Sequence, residues 1–231
     1  MTSATQAVRV PFFGVAREFA HHRDEFLERI EAVMASGQML QGPDVELFEE
    51  RVASETDRAH AVAVGSCTDA LFFALTALGI GQGDEVLVTD FSFAASATPI
   101  LRTGAIPVFV DIDEGYEIDL AKAQAKVTSR TKALVFVQMF GRMTNPATAE
   151  EFAGSNGIAL VEDGAQTLGA RFSGRPAGSM GAASCLSFDP TKIVSAPGSG
   201  GVMVTDDPEV ARTARSLRYH GRGDEGRVER L

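Results

Sequence analysis

The sequence predicts an α/β fold with a mostly parallel central sheet that is covered by helices on both faces. Two observations predict it. Short apolar segments with strand character alternate along the chain with amphipathic helical segments, which is typical of strand–helix–strand units. The strand segments are apolar at consecutive positions, as expected of strands that are buried on both faces of a sheet.

The N-terminal part of the chain precedes this alternation. We expect residues 1–20 to form an irregular lead-in. Residues 22–34 carry apolar side chains at helical spacing and are followed by Gly37, which predicts an amphipathic helix. Pro43 suits the first position of a second helix, which continues over residues 45–53.

Strands and helices then follow one another to the end of the chain. The predicted strands are residues 60–64, 85–89, 106–111, 133–138, 158–162, 182–188 and 202–205. The predicted helices are residues 69–78, 93–101, 119–127, 148–156 and 208–219. The chain of 231 residues with 45% hydrophobic residues is large enough to bury a sizeable core.

The composition disfavours several classes of function. The formal charge is 21 − 31 = −10, without a basic run inside the fold, so nucleic acid is not expected as a partner. No apolar run reaches the roughly 18 residues of a membrane span, and residues 1–10 lack the features of a secretion signal. Cys67 and Cys185 are far apart and lack metal-ligand spacing. We therefore expect a cytoplasmic protein without a disulfide framework, a metal site or a membrane partner.

Lys192 is the first candidate catalytic residue. It lies between two predicted buried strands, in the segment Ser187-Phe-Asp-Pro-Thr-Lys192, and precedes the glycine-rich turn 198–201. A lysine held between buried strands loses hydration, which favours the neutral, nucleophilic amine that forms a Schiff base. The alternative from the local sequence is a solvated surface charge.

Asp163 and Gln166 follow the predicted strand 158–162, at the edge where open α/β sheets bind their ligands. A carboxylate at the end of an apolar strand is costly unless it is paired. Asp163 therefore either caps the following turn or forms a salt bridge with a protonated ring nitrogen of a cofactor. Gln166 can reach a neighbouring hydroxyl of the same ring.

Other residues at strand ends suggest a phosphate site and a stacking partner. Backbone N–H groups at the start of helix 69–78 and the hydroxyl of Thr68 can bind phosphate, although a helix cap by Ser66 or Thr68 explains the same residues. Phe93 either packs in the core or stacks on a planar cofactor. Ser187 can supply another phosphate contact. A GxGxxG fingerprint is absent after the first strand, which disfavours a nicotinamide cofactor.

Pyridoxal 5'-phosphate (PLP) is the cofactor that needs all of these groups together. It requires a lysine for the Schiff base, a carboxylate at the pyridine nitrogen, a flat stacking partner and a phosphate cradle. The sequence shows no Ser-His-Asp or metal-ligand arrangement that would favour other chemistry. The residues therefore predict a PLP site at the carboxyl edge of the sheet.

Ordered sequence blocks over roughly residues 30–220 resemble one family. The two most specific blocks are Glu162-Asp-Gly-Ala-Gln166 and Ser187-Phe-Asp-Pro-Thr-Lys192. The other blocks are residues 42–49, 68–71, 77–85, 92–93 and 107–113. In these blocks the chain resembles the DegT/DnrJ/EryC1/StrS sugar aminotransferases, which have the aspartate aminotransferase fold (fold type I).

The resemblance implies a role for each candidate residue. Lys192 would be catalytic and carry the internal aldimine with PLP. Asp163 would pair with the pyridine nitrogen, Gln166 would contact the 3-hydroxyl of the ring, and Phe93 would stack on the ring. The residues that would hold the cofactor phosphate are Cys67, Thr68 and Ser187.

The resemblance also implies an activity and partners. Members of the family transfer an amino group from L-glutamate to a keto group of a nucleotide-linked sugar, and they act as homodimers. Members that carry histidine in place of the lysine are dehydratases, and Lys192 argues against that branch. Gln138 occupies a place where histidine is common, so we expect part of the substrate pocket to differ.

The resemblance further implies that residues 1–231 comprise an N-terminal segment and the large PLP-binding domain, without the small C-terminal domain of the family. Two alternatives to the aminotransferase remain open. One is a non-catalytic PLP- or sugar-sensing module or an inactive partner subunit. The other is a different fold type I PLP enzyme, such as a lyase.

Overall fold

The part of the chain that the structure describes divides into two compact units, and the second unit, which begins at Gln41, has a seven-stranded sheet at its centre. The computed structural model describes residues 14–223 of the chain. The strands of this sheet are β1 (His60–Val64), β2 (Glu85–Thr89), β3 (Ile106–Val110), β4 (Thr131–Val137), β5 (Ala159–Asp163), β8 (Ala183–Ser187) and β9 (Gly201–Thr205), and a separate short hairpin contains β6 (Arg171–Phe172) and β7 (Arg175–Pro176). The strand order is β1-β9-β8-β5-β4-β2-β3. Only β9 runs against the others, because it pairs antiparallel with both β1 and β8.

Helices cover both faces of this sheet, which confirms the predicted fold class. The helices of the described residues are α1 (Val15–Ser36), α2 (Pro43–Glu55), α3 (Cys67–Ala77), α4 (Thr98–Thr103), α5 (Leu120–Gln124), α6 (Pro146–Asn156) and α7 (Pro208–Arg218). Successive strand residues point to opposite faces. In β2, Val86 and Val88 pack in the same cluster as Leu71 of α3, whereas Leu87 packs in the opposite cluster with Ala149 of α6.

Local signals in the sequence set the helix starts. Asp119 caps α5, Asn145 caps α6 and Asp207 caps α7, because each side chain accepts a hydrogen bond from a backbone N–H of the first turn. Prolines occupy the start of α2, α4, α6 and α7, where their missing N–H costs no helical hydrogen bond. The predicted strands and helices of this unit therefore occur within a few residues of their expected bounds, apart from one helix.

The helix predicted over residues 93–101 is wrong as a single element. Residues Ala94–Ser96 form a 3-10 turn, and α4 begins only at Thr98. The break has a local cause, since Pro99 cannot donate a backbone hydrogen bond to the preceding turn. The break matters for the site, because it leaves Phe93 exposed and Ser96 buried.

The lead-in predicted over residues 1–20 is also wrong in its second half. Residues 1–13 lie outside the described part of the chain, but α1 already begins at Val15 and continues to Ser36, with a non-helical backbone at His22. The rings of Phe19 and Phe26 stack across this irregularity at 6.2 Å. No helix among residues 14–223 is long and apolar enough to cross a membrane.

Candidate active site

One cavity of about 400 Å³ lies at the carboxyl edge of the parallel strands. Loops that follow β1, β2, β4, β5 and β8 line it, as the rule for open α/β sheets requires. All seven residues that the sequence singled out lie around this cavity: Cys67, Thr68, Phe93, Asp163, Gln166, Ser187 and Lys192. The structure thus brings together these seven residues from four separate strand ends, those of β1, β2, β5 and β8, while their individual roles stay predictions.

Asp163 ends β5 and is almost completely buried, with 4% of its surface exposed. Its Oδ2 accepts a hydrogen bond from Ser96 Oγ at 2.6 Å, and its Oδ1 accepts one from the Ala165 backbone N–H at 3.2 Å. Burial raises the pKa of this carboxyl, while the two hydrogen bonds and the charge of Lys192 counteract the rise. Asp163 therefore caps the following turn and also lines the cavity, while its salt bridge with a cofactor ring nitrogen stays a prediction.

The N-terminus of α3 forms one wall of the cavity. Ser66 caps this helix by accepting a hydrogen bond from the Asp69 backbone N–H at 3.1 Å, which confirms the capping interpretation for this serine. Cys67 and Thr68 occupy the first turn, whose N–H groups have no partner within a helix. A Cβ added to Gly201 of β9 would lie 2.4 Å from the Cys67 backbone nitrogen. Glycine at position 201 therefore lets β9 pass close behind this turn.

Lys192 lies in the loop between β8 and β9 and is half-buried. Its backbone N–H donates to the Asp189 carbonyl oxygen at 2.9 Å, so the chain turns tightly just before it. The carboxylate of Asp189 accepts hydrogen bonds from the Thr191 backbone N–H and from the Thr191 hydroxyl. Ser187 is 8% exposed and accepts a hydrogen bond from the Asp189 N–H at 3.3 Å, which leaves its own proton available to a ligand.

Phe93 and Gln166 contribute to the cavity in different ways. Phe93 is 77% exposed, so the core-packing alternative for this residue is wrong. The Gln166 Oε1 atom accepts a hydrogen bond from the Phe140 backbone N–H at 2.8 Å. This bond orients the Gln166 amide by anchoring it to the loop that follows β4.

The sequence did not single out Ser92 and Ser96, which also line the cavity. Their hydroxyl oxygens lie 2.6 Å apart, and Ser96 donates to Asp163. Two serines four residues apart after β2 were a visible signal, but the expected regular helix obscured it. Gln138, expected in the substrate pocket, lines the cavity and also donates to buried Glu162 while accepting from the Thr144 N–H at 3.1 Å.

A seven-stranded α/β sheet with these residues at its carboxyl edge places the chain in the fold class of the family that its sequence blocks resemble. The chain belongs to the DegT/DnrJ/EryC1/StrS aminotransferase family, whose model matches residues 20–230.

Comparisons with individual proteins support this assignment. The chain is 40% identical over 218 residues to the UDP-N-acetyl-3-dehydro-alpha-D-glucosamine 3-aminotransferase of Acidithiobacillus ferrooxidans, covering 94% of this chain and 59% of the relative. It is 42% identical over 205 residues to the dTDP-3-amino-3,4,6-trideoxy-alpha-D-glucose transaminase of Micromonospora megalomicea, covering 88% and 55%.

A solved structure agrees with the same assignment. The structure of DesV from S. venezuelae, in complex with a ketimine intermediate, superposes with a TM-score of 0.93 at 38% identity, covering 97% of this chain and 61% of DesV. The chain thus spans a little under two thirds of the length of these relatives.

Proposed function

We propose that this chain belongs to a PLP-dependent aminotransferase that moves an amino group from L-glutamate to a keto group of a nucleotide-linked sugar. One observation carries the proposal. Lys192, Asp163 and the N-terminus of α3 meet at a single cavity, and a lysine, a carboxylate and a phosphate cradle are three of the groups that PLP requires.

The described residues fit PLP in size and in chemistry. A cavity of about 400 Å³ lies within the usual range for cofactor sites. Each oxygen of Asp163 accepts one protein hydrogen bond, and an ionised carboxylate has about four acceptor positions, so acceptor capacity remains for a ring N–H. Gly201 lets β9 pack against the start of α3, and the backbone N–H groups of the first turn of this helix can bind a phosphate.

PLP, when bound, supplies an electron sink for a substrate carbanion. In the proposed reaction Lys192 would hold the cofactor, and its side-chain amine would carry a proton between carbon atoms as a general base and acid. Asp163 holds a proton on the ring nitrogen. Gln166 orients the ring through its hydroxyl, and Phe93 covers one ring face.

The phosphate contacts and the substrates complete the proposal. The residues proposed to hold the phosphate are Cys67, Thr68 and Ser187. Two relatives are named for UDP- and dTDP-linked amino sugars. A second similar structure, that of DesI at 36% identity and a TM-score of 0.82, was solved in the presence of its TDP-sugar product. These names support a nucleotide-linked sugar as the acceptor. L-Glutamate as donor, a homodimer and a cytoplasmic location belong to the same proposal.

The test is to locate the cofactor on the chain by chemical trapping. Borohydride reduction of protein reconstituted with PLP fixes the cofactor to the lysine that binds it, and peptide mass spectrometry then identifies that lysine. The chain has four lysines: Lys122, Lys126, Lys132 and Lys192. The first three are exposed, so they serve as internal controls for non-specific modification.

We expect stoichiometric label on Lys192 and traces elsewhere. The Lys192→Ala variant should lose this label and the yellow colour of the reconstituted protein, whereas Lys132→Ala should keep both. Equal label on all four lysines, or a colourless wild-type protein after reconstitution, would contradict the proposal.

A PLP-binding sensor without turnover is the second candidate, favoured by the names of two relatives. The chain is 37% identical to a pleiotropic regulatory protein of Geobacillus stearothermophilus and 39% identical to the erythromycin biosynthesis sensory transduction protein EryC1. L-Glutamate separates the candidates, because only the enzyme changes the absorption spectrum of the bound cofactor and releases 2-oxoglutarate. Amine transfer that depends on a keto sugar, without release of ammonia, separates the aminotransferase from a lyase.

A further inference from the structure

Ser96 holds the carboxylate of Asp163 in a fixed position. The Ser96 hydroxyl donates to Asp163 Oδ2 at 2.6 Å, and Ser96 and Asp163 are only 3% and 4% exposed. Ser96 belongs to the short 3-10 turn, where its backbone N–H donates to the Phe93 carbonyl oxygen at 3.0 Å. A backbone hydrogen bond thus fixes the serine whose side chain fixes the carboxylate.

The number of protons sets the direction of each hydrogen bond in this group. A serine hydroxyl carries one proton, and an ionised carboxylate can only accept. Ser96 gives its proton to Asp163, so Ser92, whose Oγ lies 2.6 Å from the Ser96 Oγ, must donate to Ser96. Ser92 and Ser96, here called the serine relay, therefore point two hydroxyl dipoles toward Asp163 and favour its ionised form.

The surroundings of Asp163 show why such support is needed. Burial raises the pKa of its carboxyl, and the groups that oppose this rise are Ser96, the Ala165 N–H and the charge of Lys192. Two thiols lie close enough for the charge of Asp163 to act on them, Cys67 of α3 and Cys185 of β8, and burial is the main cause that raises the pKa of both, which keeps them neutral. Without enough donors a buried carboxyl becomes neutral and loses its attraction for a cation.

We infer that Ser96 is a positioning residue that keeps Asp163 ionised and aimed at the pyridine nitrogen of PLP, and that Ser92 orients the Ser96 hydroxyl. The inference rests on the proposed function. It assigns a purpose to the break between the 3-10 turn and α4, because this break buries the Ser96 side chain beside β5.

The test measures the Asp163 carboxyl directly in cofactor-free protein. NMR of protein labelled with ¹³C at the aspartate carboxyl carbons gives the titration curve of each aspartate, and the Asp163→Asn variant identifies the Asp163 signal by its loss. In Ser96→Ala we expect the pKa of Asp163 to rise by about one unit, since a hydrogen bond to a charged group is lost. Ser92→Ala should raise it less, and Ser96→Thr, which keeps the hydroxyl, should stay near wild type.

Cofactor affinity is the second readout. We expect Ser96→Ala to bind PLP about tenfold more weakly than wild type, and Ser96→Thr to restore most of the affinity. A folded Ser96→Ala variant with an unchanged Asp163 titration curve overturns the inference. If Ser96→Ala does not fold, an unchanged curve in Ser92→Ala overturns it instead.

The two proposals fail in different ways. Wild-type protein that does not bind PLP contradicts the proposed function and, with it, the inferred orientation of the Asp163 carboxylate toward the pyridine nitrogen of PLP. Wild-type protein that binds PLP, combined with unaltered titration and affinity in Ser96→Ala, contradicts the role of Ser96 alone.

Discussion

Two adjacent carboxylates on β5, Glu162 and Asp163, lie on opposite faces of the sheet and differ in how many hydrogen bonds they accept from the protein. Glu162 and Asp163 are 0% and 4% exposed, and burial raises the pKa of both. Glu162 accepts hydrogen bonds from four groups: the Gly178 N–H, the Met180 N–H, the Ser184 hydroxyl and the Gln138 amide. Asp163 accepts from two groups only.

The difference separates a carboxylate whose acceptor positions the protein fills from one that we propose to be a ligand contact. An ionised carboxylate offers about four acceptor positions. In Glu162 the protein fills them, and the result is to fix the turn at residues 178–180 against β5. In Asp163 about half of them remain available on the side of the cavity. Burial alone therefore does not distinguish the two carboxylates, whereas unused acceptor capacity at a cavity does, and this capacity supports the role that we propose for Asp163.

Among the substitutions that test this comparison, Glu162→Gln should lower the free energy of unfolding most. An amide in place of the carboxylate turns an NH2 group toward groups that are themselves donors, and it removes the negative charge that faces Arg58. We expect the free energy of unfolding of cofactor-free protein to fall by about 3 kcal/mol, measured by urea denaturation. The exposed Glu151→Gln is the matched control and should stay within about 0.5 kcal/mol of wild type. Equal stability of the two variants would remove the structural role of Glu162.

Gln138→Ala should have the second largest effect, because this side chain lies between the cavity and Glu162. Its loss removes a donor to Glu162 and leaves the Thr144 N–H without its acceptor. We expect a loss of about 2 kcal/mol in the free energy of unfolding by the same measurement. If Gln138 serves only the substrate, the variant will instead lose sugar turnover at unchanged stability, which contradicts this prediction.

The sequence predicted the fold well because its signals were local. Apolar strand segments, helix caps and prolines marked the sheet within a few residues of its bounds. It missed the β6–β7 hairpin, although Ser173-Gly174 is a two-residue turn signal, since strands of two residues are too short for an apolar pattern. It also missed the break before Pro99, because helical spacing of apolar residues continues across the break.

The candidate site was predictable where a single residue type was required and unpredictable where a network formed. Lys192 and Asp163 stood out, since a lysine or a carboxylate at the end of a buried strand needs an explanation. Ser96 did not, because a serine is ordinary in any loop, and its role depends on a partner 67 positions away along the chain. The sequence also does not show that Glu162 and Asp163 differ, since only the folded chain shows how many hydrogen-bond donors surround each carboxylate.

Asp163→Asn should have the smallest effect on stability, in contrast to Glu162→Gln. Asparagine keeps the shape of the side chain and an oxygen that can accept from the Ala165 N–H. Its NH2 group can donate to the Ser96 hydroxyl, which can turn its own proton toward Ser92. The substitution also removes a charge that burial disfavours, so we expect a change below about 1 kcal/mol at neutral pH in cofactor-free protein.

The pH dependence of this small effect carries a definite sign. Because the pKa of Asp163 is raised in the folded protein, the folded state binds more protons than the unfolded state between the ordinary pKa of an aspartate and the raised value. The stability that Asp163 contributes is therefore fully present below the ordinary pKa and is lost as the pH rises through the raised one. Asp163→Asn should thus gain stability relative to wild type as the pH rises through this window, measured by urea denaturation of both proteins at each pH. Glu162 titrates in both proteins, so its contribution cancels in the difference. A stability difference that stays constant with pH, or falls as the pH rises, would show that the pKa of Asp163 is not raised in the folded protein and would contradict this prediction.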